Sequence, residues 1–144
     1  MVLKGIPSNI SPELLKVLAE MGHGDEIVIA DVNFPGASNA KRLIRQDGNN
    51  IPELLDSIMQ LFPLDQYEPN VVLMAQEPED CDMEIPIWLT YEETLVKYDD
   101  YKIKWEWRNK FYDRAKKAYA VVTTSEPSLY ANIILKKGII KCKN

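Results

Sequence analysis

Short apolar runs that alternate with amphipathic segments constrain the fold of this chain more than any other feature of its sequence. Residues 27–30 and the run VVLMA at 71–75 are continuously apolar, which is typical of strands buried on both faces of a sheet. KIKWEW at 102–107 alternates like a half-exposed strand. AYAVVTT at 118–124 and YANIILKKG at 130–138 provide two more apolar runs. The sequence therefore predicts five strands.

The segments between these strands are punctuated like helices. In ISPELLKVLAEMG, Ser11 is expected to cap a helix, Pro12 to lie in its first turn and Gly22 to end it. NNIPELLDSIMQLF at 49–62 repeats this design, and WLTYEETLVKYDDY and RNKFYDRAKK are two further helical segments. VNFPGASNAKR is expected to form a loop.

This order of elements predicts the fold class α/β. We expect a single domain over residues 1–144, with a largely parallel sheet flanked by helices in Rossmann-like layering. A chain of 144 residues suits one hydrophobic core. We find no internal repeat and no interdomain linker.

Composition excludes several classes of function. The net charge of −5 argues against a nucleic-acid partner. The amino-terminal residues lack the apolar core of a signal peptide, and no apolar run reaches transmembrane length. With Cys81 and Cys142 far apart, the thiols match no metal spacing and are expected to be reduced. We therefore predict a cytoplasmic protein with no membrane partner, no metal and, without a glycine-rich phosphate loop, no cofactor.

His23 is the only histidine, and glycines flank it in a predicted turn. An ordinary imidazole has a pKa of about 6.5 and moves protons well at neutral pH. The alternative is that His23 is simply a solvated turn residue.

Asp31 ends the first strand, where open α/β sheets commonly bind ligands. Its alternative role is to cap a turn.

Polar residues late in the chain are further candidates for a binding site. Arg108 lies where a strand gives way to a helix, and Tyr130 and Asn132 alternate on the predicted last strand, so they are expected to point to one side. Such groups can bind sugar hydroxyls or simply decorate an edge. The residues alone support an acidic α/β protein with a metal-free polar site centred on His23.

Six segments in colinear order carry a resemblance to a known family. These segments are MGHGDEIVIAD (21–31), NFP (33–35), IRQDG (44–48), PLDQY (63–67), FYDRAKKAYAVVTT (111–124) and YANIILKKG (130–138). Together they resemble the L-fucose mutarotase / D-ribose pyranase family over residues 3–138. The GHGDE motif and Arg108, three residues before the Phe-Tyr pair, resemble the fucose branch.

The resemblance implies site residues, a substrate and an assembly. It implies that His23 is the proton donor and that Asp31, Arg108 and the segment Tyr130, Ala131, Asn132 bind the substrate, with Asp65 as a weaker addition. The implied substrate is L-fucose, and the implied assembly is a homodecamer with active sites near subunit boundaries. Ala131 stands where the fucose branch usually has glycine. We expect its methyl group to lie beside the sugar and to disfavour a positive φ.

Mutarotation needs only proton transfers, which agrees with the predicted absence of cofactors and metals. The hemiacetal ring opens and closes on the other face, so the anomeric hydroxyl loses a proton and the ring oxygen gains one. Our hypothesis is that His23 moves a proton and that Asp31 orients the sugar or tunes His23. Arg108 would bind sugar hydroxyls and stabilise the negative charge that develops as the ring opens. Tyr130 is a second candidate proton relay. The alternatives are a D-ribose pyranase activity, a non-catalytic monosaccharide-binding protein and a purely structural oligomer subunit.

Overall fold

The structure, a computed structural model, describes residues 2–142. The ends of the predicted 1–144 domain therefore lie outside the described residues. The elements follow one another as α1 (Pro12–Glu20), β1 (Glu26–Ala30), α2 (Gly36–Asn39), β2 (Leu43–Gln46), α3 (Ile51–Met59), β3 (Val71–Met74), a 3-10 turn (Pro78–Asp80), α4 (Pro86–Leu95), β4 (Ile103–Glu106), α5 (Arg108–Lys117), β5 (Ala120–Thr124) and β6 (Ile133–Lys136).

One six-stranded sheet organises the domain, with the strand order β2-β5-β1-β6-β3-β4. The neighbours β2–β5, β5–β1 and β3–β4 are parallel. Only β6 runs in the opposite direction, because it pairs antiparallel with both β1 and β3. The prediction of an α/β domain with a largely parallel sheet flanked by helices is confirmed.

Helices cover both faces of the sheet, which explains the continuously apolar strands. Along β1, Ile27 and Ile29 face a core shared with α1, α3 and α4, whereas Val28 and Ala30 face a core shared with Phe111 of α5. Successive strand side chains point to opposite faces, so a strand between two cores has apolar residues at every position. The two faces give the layering expected from the sequence.

The helix termini agree in part with the sequence analysis. Ser11 caps α1, because its hydroxyl oxygen accepts a hydrogen bond from the Leu14 N–H at 3.1 Å. The prediction that Gly22 is the carboxyl-terminal cap was wrong. Met21 holds that position in an extended conformation, and Gly22 instead donates its N–H to Asp25 Oδ2 at 2.8 Å.

The segment expected to be a loop, residues 32–42, contains the short helix α2, and it is followed by the strand β2, which was not predicted. The strand β2 lies at one edge of the sheet, and its residues alternate between exposed and buried. It pairs in parallel with β5 through the register Ile44 to Val122. The charged residue Arg45 within this short strand obscured the apolar pattern in the sequence. Within residues 2–142, no helix is long and apolar enough to cross a membrane.

Candidate active site

A cavity of about 270 Å³ opens at the edge of the sheet where the parallel strands end. Asp31 follows β1, Glu77 follows β3 and Arg108 follows β4, while Asn132 precedes the antiparallel β6. Because β6 runs in the opposite direction, its beginning lies beside the ends of its neighbours. The cavity is lined by Asp31, Asn33, Phe34, Met74, Glu77, Asp80, Arg108, Tyr112, Leu129, Tyr130 and Asn132. Ligands commonly bind at this edge of an α/β sheet.

Asp31 is a buried carboxylate, 5% exposed. Its Oδ1 accepts the Asn33 N–H at 3.0 Å, and its own N–H donates to Asn132 Oδ1 at 2.7 Å. Burial raises the pKa of the Asp31 carboxyl, although hydrogen bonds from backbone N–H groups, including that of Asn33, oppose the rise. Asp31 and Asn132 therefore form one rigid wall of the cavity.

The raised pKa of Asp31 has a consequence for stability. The Asp31 carboxyl binds its proton more tightly in the folded chain than in the unfolded chain. The free energy of unfolding therefore falls as the pH rises through the pKa of the folded state, where the buried carboxyl becomes ionised. We expect Asp31→Asn to increase the free energy of unfolding at neutral pH and to remove this part of its pH dependence. Chemical denaturation between pH 4 and 8 measures both (the range begins at about the unperturbed carboxyl pKa). An equal pH dependence in the variant would contradict the assignment; Asp82→Asn, at an exposed carboxylate, is the control.

Tyr130 lies in the cavity wall in a left-handed backbone conformation, with φ 57°. Its hydroxyl donates to Asp80 Oδ2 at 2.6 Å and accepts the Glu77 N–H at 3.0 Å. Its carbonyl oxygen accepts the Trp88 Nε1–H at 2.9 Å. Burial raises the pKa of the Tyr130 hydroxyl, and its hydrogen bond to Asp80 raises that pKa further. These contacts fix the phenol in its protonated form.

The expectation that Tyr130 and Asn132 alternate on the last strand was wrong, although both residues line the cavity. The strand β6 begins at Ile133, and the left-handed conformation of Tyr130 interrupts any strand alternation before it. The side chains converge because a tight backbone bend and the hydrogen bonds of each residue aim them at the same space.

Ala131 lies between these two residues but does not line the cavity. Its side chain is fully buried in the core shared with α1, α3 and α4, and its carbonyl oxygen accepts the Tyr91 hydroxyl at 2.6 Å. The expectation that its methyl group lies beside the sugar was wrong. The positive φ at this bend belongs to Tyr130, so alanine is accommodated here without strain.

Arg108 is the first residue of α5, and its side chain is 60% exposed. Its Nε lies 3.7 Å from Glu77 Oε1, and both residues line the cavity. Tyr112 lies one helical turn later and lines the same cavity. The sequence analysis did not select Tyr112, Glu77 or Asp80; the four-residue spacing from Arg108 was the signal that could have identified Tyr112.

His23 lies in the turn between α1 and β1, as predicted, and its side chain is 46% exposed. Its Nε2 is 3.1 Å from Oδ1 of Asp65, and its ring centroid lies 5.6 Å from that of Tyr67. Gly24 permits this turn through a positive φ of 90°, and its N–H donates to the Lys137 carbonyl.

Asp65 is a buried partner for this imidazole, with a side chain that is only 4% exposed. Burial opposes its ionisation, but hydrogen bonds from His23 and the Tyr67 N–H outweigh burial, so the pKa of the Asp65 carboxyl lies below its ordinary value. An ionised carboxylate against one ring nitrogen fixes the orientation of the imidazole and leaves the other nitrogen free for a ligand.

Within one chain, His23 and the cavity lie at opposite ends of β1. His23 precedes the strand and Asp31 follows it, and five residues at about 3.3 Å each separate the strand ends by about 16 Å. The expectation that Asp31 tunes His23 is therefore not supported by contact within one chain. The structure brings together Asp31, Arg108, Tyr130 and Asn132 and places the pair His23 and Asp65 elsewhere.

No group of three or more His, Cys, Asp or Glu side chains within residues 2–142 is placed to hold a metal ion. The polar groups of the cavity are carboxylates, a guanidinium, phenols and amides. Such groups donate and accept hydrogen bonds in the pattern that a polyhydroxylated ligand offers.

Comparison with known proteins gives a consistent result. Residues 4–140 match the model of the RbsD / FucU transport protein family. The chain is 52% identical to a fucose mutarotase of Danio rerio, with 96% of this chain and 95% of the relative covered. It is 54% identical to a fucose mutarotase of Streptococcus pneumoniae solved in complex with L-fucose, with a TM-score of 0.92 and coverage of 96% and 100%. Bacillus subtilis RbsD complexed with D-ribose is 25% identical, with a TM-score of 0.78 and coverage of 98% and 100%.

Proposed function

The chain belongs to the RbsD / FucU transport protein family, and from this premise we propose that it is an L-fucose mutarotase. It interconverts the α and β anomers by acid/base-catalysed opening and closing of the ring, as a cofactor-independent isomerase. The observation that carries the proposal is the cavity: Asp31, Arg108, Tyr130 and Asn132 meet there in a chain 54% identical to a fucose mutarotase solved with L-fucose.

The cavity contacts support the following roles in binding. Asn132 uses its Oδ1 for the Asp31 N–H, so its amide N–H groups remain to donate to a sugar hydroxyl. Asp31 accepts a hydrogen bond from a sugar hydroxyl, and Arg108 donates to hydroxyls at the cavity mouth. Ala131 contributes only through its backbone, because its side chain is buried away from the cavity.

His23 supplies the proton for the ring oxygen in this proposal. Because about 16 Å separate the ends of β1, the His23 that serves a cavity belongs to another copy of the chain. The active protein is therefore a homo-oligomer, and the family resemblance favours a decamer.

We place the protein in the cytoplasm, as a single mutarotase domain over residues 1–144. Both of its free cysteines, Cys81 and Cys142, are exposed.

Exchange spectroscopy tests the proposed activity. Saturation-transfer NMR on L-fucose with purified protein is expected to show accelerated exchange between the two anomers. A panel that includes D-ribose tests the second candidate, pyranose–furanose interconversion, which the likeness to RbsD complexed with D-ribose favours. Exchange of every sugar at the uncatalysed rate would refute catalysis and leave a monosaccharide-binding protein.

Mixed oligomers test whether the site is shared between copies. We expect His23→Ala and Arg108→Ala to be inactive alone, and their co-refolded mixture to recover about a quarter of the wild-type rate. In random mixing, half of the cavities are intact and half of those meet an intact His23 from a neighbouring copy. The rate of anomer exchange and the mass from light scattering are measured on the same sample.

The control for this experiment is His23→Ala co-refolded with itself, which is expected to stay inactive. Wild-type protein taken through the same refolding corrects for losses. A mixture that stays as inactive as its components, while remaining oligomeric, would contradict a shared site.

A further inference from the structure

The hydroxyl of Tyr130 is held by the acidic loop after β3. Its hydrogen points to Asp80 Oδ2 at 2.6 Å, and its oxygen accepts the Glu77 N–H at 3.0 Å. A phenolic oxygen can donate one hydrogen bond and accept from two donors. One acceptor position therefore remains available, on a residue that lines the cavity.

The backbone of Tyr130 supports a functional role for this arrangement. Tyrosine rarely adopts a φ of 57°, and such conformations persist where the surroundings fix them, often at functional sites. Trp88 holds the carbonyl oxygen of Tyr130, while Asp80 and Glu77 hold its hydroxyl. The structure thus restrains both the backbone and the hydroxyl group of Tyr130.

The other carboxylates around the cavity are engaged differently. Asp31 accepts the N–H of Asn33, and Glu77 lies beside the guanidinium of Arg108. Glu79 and Asp82, which neighbour Asp80 along the loop, do not line the cavity. Asp80 is the carboxylate that accepts a hydrogen bond from the phenol of Tyr130.

We propose that Asp80 is a positioning residue for catalysis, which holds the Tyr130 hydroxyl and receives a proton through it from the anomeric hydroxyl of the sugar. This inference rests on the proposed mutarotase function and assigns the base that acts opposite the acid His23. A tyrosine hydroxyl with its ordinary pKa of about 10 is protonated at neutral pH, and burial raises the pKa of Tyr130 further. The proton therefore moves through Tyr130 instead of being taken up by a pre-formed phenolate.

The proton transfers of ring opening balance. The anomeric O–H gives its proton to the Tyr130 oxygen as the Tyr130 proton passes to Asp80. The bond between the anomeric carbon and the ring oxygen breaks, its electron pair stays on the ring oxygen, and that oxygen takes a proton from His23 of another copy. Closure on the other face of the carbonyl reverses each transfer, so Asp80 and His23 regain their starting states.

The test uses Asp80→Asn, whose amide oxygen can still accept the Tyr130 hydrogen bond but takes up no proton. We expect kcat for anomer exchange of L-fucose to fall by ~10²-fold, within the range of general acid–base catalysis, while KM changes by less than about threefold. Tyr130→Phe is expected to behave alike. The double variant is expected to lose no more than either single variant, because the two residues act in one relay.

Asp82→Asn, two residues along the same loop and exposed, is the matched control and is expected to keep wild-type kinetics. Asp80→Asn with unchanged kcat, or with a loss confined to KM, would overturn the relay, as would additive losses in the double variant. If Asp80→Asn does not fold, Tyr130→Phe decides alone: unchanged kcat overturns the proposal. An inactive wild-type protein would instead refute the proposed function, so the two failures are distinguishable.

Discussion

Replacing His23 with alanine is expected to leave the fold intact and to slow catalysed anomer exchange of L-fucose by ~10² to 10⁴-fold, the usual contribution of general acid–base catalysis. The imidazole is half-exposed in a surface turn, so little packing is lost. The proton donor is lost, and no other histidine in the chain can replace it. Saturation-transfer NMR at saturating sugar measures the exchange, and circular dichroism monitors the fold.

His23→Gln separates catalysis from binding. A glutamine can keep a hydrogen bond to Asp65 but cannot act as an acid at neutral pH, so it is expected to be nearly as inactive as alanine. Lys16→Ala, at an exposed position of α1, serves as the control with wild-type activity. Exchange near the wild-type rate in both His23 variants would contradict the role of His23 as the proton donor.

The parts of the fold that sequence analysis predicted are those with strong local patterns. Ser11 and Pro12 mark the start of α1 by capping chemistry, and the strand after it is continuously apolar because helices cover both faces of the sheet. The direction of β6 is not encoded locally. A strand of four residues such as Ile133–Lys136 fits either direction, and only its partners β1 and β3 determine which one forms.

The candidate site was predictable where it depends on strand ends and not where it depends on loops. Asp31 was identified because a carboxylate directly follows an apolar strand. Asp80 ends the short 3-10 turn of an acidic loop whose sequence has no periodicity. Its contact with Tyr130 spans 50 residues of sequence, so sequence spacing gave no signal. His23 and Asp31 are separated because they lie at opposite ends of β1. Their order along the sequence is consistent with this separation, whereas the family resemblance implies one site that contains both.

Gly138→Ala is expected to produce the largest loss of stability of the variants considered, about 1–3 kcal/mol in the free energy of unfolding. A Cβ atom at Gly138 would lie 2.7 Å from the Leu64 carbonyl carbon and 2.8 Å from Cα of Asp65, and closer still to the Leu64 carbonyl oxygen. These atoms belong to backbone, which cannot rotate away. Urea denaturation followed by tryptophan fluorescence measures the change.

The same substitution is expected to lower exchange activity, because the displaced segment carries Asp65, the partner of His23. The N–H of Gly138 donates to the Pro63 carbonyl oxygen at 2.8 Å, and Lys137 pairs with Leu64 across this contact.

Gly22→Ala is the control for stability. Its Cβ would meet only Asp25 Oδ2 at 3.7 Å, so we expect the free energy of unfolding to change by less than about 0.5 kcal/mol. Equal stability of Gly138→Ala and wild type would contradict the close approach. A destabilised variant with full activity would instead show that catalysis does not depend on the position of Asp65. The orientation of His23 would then not depend on this segment.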